Sequence, residues 1–426
     1  MKRELLSATS VRRLLCVGGL ITCGVIASLA QTVKAADKAN DQVPTFRFDP
    51  DWPKTLPNGW TTGVIGAIYV DKNDHVWAAT RPNSVNAAVE RYLLDGLGDC
   101  CSPAPPVLEF DQAGNVVQAW GAIHITDRAA RKEVLLGKQP ANGPYPEGLW
   151  PSSEHAMYVD YKNNVWVTSQ SPPSQLIKFT HDGKLIKLFG SSEATSNADT
   201  ANFAGPTGIY VDPQTNEAYV SDGYRNRRVI VFDADTGAFK RMWGAYGKPP
   251  KDPQQKDAFG SDRVNDSFSV THCVVPDNQG LLYICDRANS RIQVFKKDGT
   301  FVREVVIPEA PATTPNADLE AVWSTEAIRP TAKTHLGSAW FVGFSPDKEQ
   351  RWMYVADGTN KKVWILRHSD LKVIGSFGHG GRQGGQFETI HCLAVDSHGN
   401  IYTGETLSGN RIQRFLFTGT RSVSAN

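Results

Sequence analysis

The amino-acid sequence predicts an all-β protein, a six-bladed β-propeller in which an N-terminal strand closes the last blade. Short apolar runs with β character recur along the chain, and each ends at an aspartate that a turn-rich segment and a second apolar run follow. This pattern is typical of a strand, a hairpin and a strand. Six repeats of four short strands, spaced irregularly by insertions, favour a propeller over a sandwich. Three repeats begin with a histidine: His155-Ala-Met-Tyr-Val-Asp160, His272-Cys-Val-Val-Pro-Asp277 and His391-Cys-Leu-Ala-Val-Asp396.

The composition is that of a globular protein with ample material for a large core. The chain has 426 residues, of which 40% are hydrophobic and 21% are charged. Its formal net charge is +1 at pH 7, so no overall field attracts nucleic acid or an anionic membrane. We therefore expect no nucleic-acid partner. Nothing in the pattern indicates an oligomeric state.

Residues 1–35 are predicted to be a signal peptide. Basic residues within 2–13 precede an apolar run at 14–29, and Val33-Lys34-Ala35 offers a small-residue cleavage site. An uncleaved membrane anchor is the alternative, but the apolar run is short for a membrane span. We therefore expect export to the periplasm or the medium, and no stable membrane association after the signal is cleaved.

The rest of the chain divides into a flexible lead-in at 36–44, the propeller at 45–420 and a C-terminal tail at 421–426. Within the propeller, Phe46-Arg-Phe48 is a strand candidate that can supply the fourth strand missing from the last repeat and so protect its edge. The six repeats cover 66–121, 155–190, 207–244, 272–306, 340–378 and 391–415. Four connections exceed ordinary lengths and are expected to be functional loops on one face: 83–106, 127–151, 246–267 and 308–338.

Five cysteines remain after the signal, in what should be an oxidising compartment. Cys100 and Cys101 are adjacent, and the sequence leaves open whether they form a vicinal disulfide or remain thiols. Cys273 and Cys392 each follow a repeated histidine. Because side chains alternate along a strand, we interpret both as thiols packed in the core.

The three histidines predict a metal site on the propeller axis. His155, His272 and His391 fall on the second, fourth and sixth repeats in one register, so they should converge about a third of a turn apart. Three histidines with an open fourth position are typical of catalytic zinc, although imidazole also suits other divalent metals. The alternative is three hydrogen-bonded, inert histidines.

Polar residues at the ends of the second strands should reach the same mouth. Tyr224 follows the third repeat's second strand, Arg287 follows the fourth's, and Arg81 ends the first's. A tyrosine beside a metal can act as a general base, and arginines can hold an anionic group. Exposed residues that form only salt bridges are the alternative for each.

These motifs resemble a known family. Ser221-Asp-Gly-Tyr-Arg-Asn-Arg-Arg-Val-Ile-Val-Phe232 and Cys285-Asp-Arg-Ala-Asn-Ser-Arg-Ile-Gln-Val-Phe295 resemble NHL repeats. With the histidines, residues 60–420 are similar to peptidylglycine α-hydroxyglycine α-amidating lyase, a six-bladed propeller. The resemblance implies that His155, His272 and His391 bind zinc, that Tyr224 is the base, and that Arg287 and Arg81 assist.

The resemblance also implies a reaction, the cleavage of a peptidyl-α-hydroxyglycine into an amidated peptide and glyoxylate. Thr389 and Cys392 depart from the family pattern, which has a methionine and a calcium-binding aspartate there. We expect a secreted zinc-dependent lyase that acts on a small-molecule or peptide substrate. The alternatives are a non-enzymatic NHL propeller that binds a protein or glycan, and a metal-dependent propeller hydrolase of esters or lactones.

Overall fold

The computed structural model of the chain describes residues 42–85, 101–124, 133–151, 153–251, 266–308 and 336–422. The predicted signal peptide, Cys100 and much of the four long connections lie outside these residues. Within them the structure is almost entirely β, with short 3-10 turns at Pro57–Gly59, Pro82–Ser84, Ala245–Gly247 and Arg287–Asn289. No helix in the described ranges is long and apolar enough to cross a membrane.

Twenty-seven strands follow one another along the described chain. In order they are β1 (Gln42–Asp49), β2 (Trp60–Thr61), β3 (Val64–Val70), β4 (Val76–Arg81), β5 (Ser102–Pro103), β6 (Val107–Phe110), β7 (Val116–His124), β8 (Glu133–Gly137), β9 (Glu154–Val159), β10 (Val165–Ser169), β11 (Leu176–Phe179), β12 (Leu185–Phe189), β13 (Pro206–Val211), β14 (Glu217–Asp222), β15 (Arg228–Asp233), β16 (Phe239–Trp243), β17 (Thr271–Pro276), β18 (Leu282–Asp286), β19 (Arg291–Phe295), β20 (Phe301–Val306), β21 (Phe341–Phe344), β22 (Trp352–Asp357), β23 (Lys362–Arg367), β24 (Lys372–Phe377), β25 (Ile390–Val395), β26 (Ile401–Glu405) and β27 (Ile412–Ser422).

The strands form six blades, so the predicted all-β, six-bladed propeller is confirmed. The first blade has five strands in the order β3-β4-β6-β7-β8, and the next four have four strands each. The sixth sheet has the order β1-β27-β26-β25, which makes the N-terminal strand its outermost member. That strand begins at Gln42 and so includes residues 42–44 of the predicted lead-in. Phe46–Thr418 form one compact unit, which contains the sites described below.

The repeated aspartates explain why the innermost strands of five blades end in a tight turn. In the second blade, Asp160 accepts backbone hydrogen bonds from Lys162 and Asn164 at 2.9 and 2.8 Å. Its other oxygen accepts a hydrogen bond from the Trp166 indole at 2.9 Å. This carboxylate therefore fixes the hairpin and ties it to the core, where aromatic side chains of neighbouring blades pack together.

The cysteine interpretation is half right. Cys392 is a free, buried thiol, as expected. Cys273, however, forms a disulfide with Cys285, so its interpretation as a free core thiol is wrong. The two residues are direct register partners on β17 and β18, with Cα atoms 4.9 Å apart, a separation that suits a disulfide. Cys101 is also disulfide-bonded, whereas the vicinal-disulfide question involves Cys100, which lies outside the described residues.

Candidate metal centre

The three predicted metal ligands meet on the axis of the propeller. His155, His272 and His391 are each the second residue of an innermost strand, β9, β17 and β25. Their ring centroids lie 4.7 to 4.9 Å apart, and one ligand nitrogen of each lies within 4.8 Å of the others. All three are buried, with at most 3% of the residue exposed. The described residues thus contain a group of three imidazoles that could hold a metal ion.

A local irregularity of the innermost strands aims these side chains. In β17, Thr271 and Cys273 have partners on β18, while His272 between them is skipped. The same shift skips His391 in β25, and β9 is irregular beside His155. A bulge of this kind redirects a side chain out of the regular alternation. It lets the histidines face the axis while their neighbours keep pairing within the blade.

Backbone carbonyls of the odd-numbered blades orient the histidines of the even-numbered ones. His155 Nδ1 donates to the Thr207 carbonyl at 3.0 Å, and His272 Nδ1 donates to the Trp340 carbonyl at 2.6 Å. For His391 the corresponding group is the Gly66 carbonyl, which interacts with the ring without reaching full hydrogen-bond geometry at Nδ1. A carbonyl on Nδ1 leaves Nε2 as the ligand atom, which is the usual support of metal-binding histidines.

The electrostatic setting keeps the imidazoles neutral. Burial lowers the pKa of all three histidines, and that of His391 falls to about 3. The positive charges of Arg81 and Arg287 lower it further. Neutral imidazole is the form that binds metals. His272 Nε2 has no hydrogen-bond partner in the described part of the chain, although it is buried. The donor set therefore fits a divalent metal.

Tyr224 contacts the histidine group, and Arg287 contacts Tyr224. The Tyr224 hydroxyl lies 3.1 Å from His155 Nε2 and 3.4 Å from an Arg287 nitrogen. Arg287 is buried, and its guanidinium stacks 4.5 Å above the Trp340 ring. Among the described residues it forms no ion pair with a carboxylate. Arg287 is thus a buried cation available to an anionic ligand.

Arg81 lies beside the strand that carries His155. Its Nε donates to the Glu154 carbonyl at 2.6 Å, and another nitrogen donates to the Gln170 side chain at 3.0 Å. Burial lowers its pKa, and its charge in turn lowers the pKa values of His155 and His391. Arg81 therefore supports the site through charge and through β9, with no direct hydrogen bond to the histidines.

Sequence reasoning missed two residues of this site. Trp340 supplies both the carbonyl for His272 and the ring beneath Arg287. A signal existed: Trp340 stands five residues before Ser345, whose N–H closes the turn at 2.9 Å as the aspartates do in other blades. Glu154, next to His155, is also buried, which raises its pKa to about 7, and it accepts a hydrogen bond from Trp150 at 2.6 Å.

A cavity of about 480 Å³ lies on the other side of the histidines. Its walls are the histidines and residues of the innermost strands of several blades, among them Tyr69, Tyr158 and Tyr210. Tyr224, Arg287 and Arg81 do not line it. The histidines therefore lie between this cavity and the side of the site that holds Tyr224 and Arg287.

Comparisons with known proteins agree with this architecture. No protein-family model matches the chain. The peptidyl-glycine alpha-amidating monooxygenase of Mus musculus is 35% identical over 158 residues, which are 35% of this chain and 14% of that protein. NHL repeat-containing protein 3 of Mus musculus is 25% identical over 285 residues, 65% of this chain and 63% of that protein. A probable peptidyl-alpha-hydroxyglycine alpha-amidating lyase of Caenorhabditis elegans is 23% identical over 142 residues, 33% of this chain and 36% of that protein.

The chain is therefore a six-bladed β-propeller related to NHL-repeat proteins. Its relatives also include the peptidylglycine amidating enzymes and their lyase, so the resemblance found in the motifs is confirmed. The matched segments span less than two thirds of each relative's own length.

Proposed function

We propose that this protein is an exported, zinc-dependent lyase that cleaves the C–N bond of a carbinolamide such as a peptidyl-α-hydroxyglycine. One observation carries the proposal: three buried imidazoles converge on the axis, with a tyrosine hydroxyl 3.1 Å from one of them and a buried arginine beside that hydroxyl. Similarity to proteins named as amidating enzymes supports the choice of reaction.

His155, His272 and His391 would hold the metal. A zinc ion with three histidine ligands keeps an open position, where it polarises a substrate oxygen and eases loss of its proton. Imidazole ligands suit iron, copper and nickel as well, so zinc is the specific part of this proposal. The carbonyls of Thr207 and Trp340 would keep Nε2 directed at the metal.

Arg287 is suited to binding the substrate carboxylate. Its guanidinium is buried, stacks on Trp340 and has no ion-pair partner among the described residues. An arginine offers a planar pair of donors that matches both oxygens of a carboxylate. Arg81 adds a second positive charge near the histidines, which stabilises negative charge that develops on the substrate oxygen.

Tyr224 is the group placed to move the proton. Its hydroxyl would relay the proton: the oxygen accepts the proton of the substrate hydroxyl while its own proton passes to the amide nitrogen, as the C–O bond gains double-bond character and the C–N bond breaks. The electron pair of the C–N bond goes to the amide nitrogen, which takes up the proton. The products are a peptide amide and glyoxylate, so atoms and charge balance without an oxidant or a further reactant.

Two wider features belong to the same proposal. The N-terminal segment of basic residues followed by an apolar run supports export to the periplasm or the medium. The near-zero net charge and the arginine-lined mouth favour a small-molecule or peptide partner with an anionic end over nucleic acid.

The deciding experiment combines metal analysis with product detection. The purified protein is expected to release glyoxylate and peptide amide in equal amounts from a synthetic peptide that ends in α-hydroxyglycine. His272→Ala should lose one divalent metal per chain together with this activity. Turnover of esters or lactones without glyoxylate release would refute the lyase proposal and indicate a hydrolase. If His272→Ala leaves the metal content unchanged and neither substrate is turned over, the zinc site is refuted and the protein is a non-enzymatic binding propeller.

A further inference from the structure

A second group of metal-ligand residue types lies between the first two blades. It stands at the end of the innermost strands opposite the axial histidines. Asp71, His75 and Glu109 each offer a ligand atom, and these atoms all lie within 4.8 Å of one another. His181, from the turn between β11 and β12, faces the same carboxylate, with its Nε2 3.7 Å from Glu109 Oε1. His181 therefore adjoins this group of three through Glu109.

The two carboxylates are buried, and their nearest basic side chains are histidines. Asp71 is 7% exposed and Glu109 is 4% exposed. Asp71 Oδ2 accepts a hydrogen bond from the Trp77 indole at 3.1 Å, and Glu109 Oε1 lies 2.7 Å from His75 Nδ1. Within the described ranges neither carboxylate pairs with a lysine or an arginine. A divalent cation would balance the two carboxylates.

The repeats supply an internal comparison for His75. In the second blade the same turn position is Asn164, whose amide donates to Asp160 Oδ2 at 3.1 Å. In the sixth blade it is Asn400, which donates to Asp396 at 2.8 Å. An amide thus satisfies the turn aspartate within its own blade. In the first blade the imidazole of His75 replaces the amide and contacts Glu109 on β6 instead.

Glu109, like His75, differs from the residue at the equivalent position of the second blade. Trp77 is its register partner in the first blade, and the equivalent Trp166 has Lys178 as partner in the second. Lys178 forms an ordinary bridge between blades, with its ammonium 2.9 Å from Asp235 of the third blade. Between the first and second blades, a glutamate and histidines replace this lysine–aspartate pair. Each replacement introduces a residue type that binds metals.

The spacing and the exposure of the group suit an ion that enters from solvent. Ligand atoms around a tetrahedral zinc lie about 3.3 Å apart, given bonds of about 2.0 to 2.1 Å. The separation from Glu109 Oε1 to His181 Nε2, 3.7 Å, is near that value, whereas the 2.7 Å contact with His75 Nδ1 is a hydrogen bond that a bound ion would replace. The side chains of His75 and His181 are 33% and 35% exposed, so they are open to solvent while the carboxylates are held inside.

We propose that Asp71, His75, Glu109 and His181 form a second metal site, which binds a divalent ion of the zinc class and joins the first blade to the second. Mixed nitrogen and oxygen ligands favour zinc and its neighbours over calcium or magnesium, which prefer oxygen alone. The site is separate from the axial histidines, and it stands whether or not the lyase proposal is correct.

Zinc stoichiometry tests this site. The purified protein is dialysed to equilibrium against buffered free zinc, and bound metal is measured by mass spectrometry. Two zinc ions per chain are expected for the wild type and one for the double variant His75→Asn with His181→Asn. Asparagine occupies the first of these positions in two other blades, so the variant should fold. His398→Asn, a change at an exposed surface histidine, is the control and should keep two.

The axial site is separated from the second site by His272→Ala. That variant should also bind one zinc, and its combination with the double variant should bind none. The double variant should retain wild-type glyoxylate release if the lyase proposal holds. The second site is refuted if the double variant binds as much zinc as the wild type, or if His272→Ala alone abolishes all binding.

Discussion

The sharpest prediction concerns Tyr224→Phe, which removes one hydroxyl from the mouth of the propeller. That oxygen contacts His155 Nε2 at 3.1 Å and Arg287 at 3.4 Å, so it adjoins both the proposed metal and the proposed carboxylate site. A positioned proton-transfer group contributes about 10²- to 10⁴-fold to a rate. This range corresponds to about 2.7 to 5.4 kcal/mol of activation free energy at about 1.36 kcal/mol per factor of ten.

The assay is glyoxylate release at saturating substrate, with metal content measured on the same samples. We expect kcat to fall by about 10²-fold or more, while the metal content stays unchanged because Tyr224 is not a ligand. Tyr246→Phe is a matched control, since its hydroxyl also accepts a hydrogen bond from an arginine, Arg291, at 2.7 Å but lies outside the histidine group. If Tyr224→Phe keeps more than about a tenth of the wild-type kcat, Tyr224 does not transfer the proton.

Three further predictions concern Arg287, the disulfide between Cys273 and Cys285, and His391. Arg287→Lys should raise KM for the α-hydroxyglycine peptide about tenfold or more with unchanged metal content, because a lysine lacks the planar donor pair and stacks less well on Trp340; an unchanged KM would place the carboxylate elsewhere. Replacing Cys273 and Cys285 together by alanine should lower the free energy of unfolding by about 3 kcal/mol in urea titrations, since the bond closes a loop with a sequence separation of 12; equal stability in non-reducing and reducing buffer would contradict this. In metal-free protein, the pKa of His391 is about 3 in the folded state against 6.5 unfolded, so its unfolded form binds more protons. The resulting contribution is present above pH 6.5 and is lost as the pH falls toward 3, and the pH dependence of stability should therefore weaken in His391→Gln.

The sequence was sufficient to predict the fold because each blade repeats its own local signals. The histidines of blades two, four and six share one register, and this alone predicted that they meet on the axis. Tyr224 and Arg287 were found because they follow the equivalent ends of two second strands. These inferences depend on the spacing of residues within a repeat, which propeller symmetry converts into position around the axis.

Other features depend on contacts between repeats, and spacing does not encode them. The bulge that skips His272 in β17 places Cys273 opposite Cys285, a pairing that simple alternation did not reveal. Trp340 was hidden because the fifth blade closes its turn with Ser345 in place of an aspartate. Glu109 and His181 lie in different blades, so their approach became visible only once the blades were placed side by side.

The alternation of ligands and carbonyl acceptors around the axis has a consequence for how the molecule comes apart. Even-numbered blades supply the imidazoles, and odd-numbered blades supply the backbone groups that orient them. Binding of a single ion would thus depend on all six blades, since displacement of any blade disturbs either a ligand or the group that orients it. If the metal binds only the closed ring, it raises the free energy needed to open the ring by RT ln(1 + [M]/Kd). Loss of the ion would therefore weaken all six contacts between neighbouring blades at once.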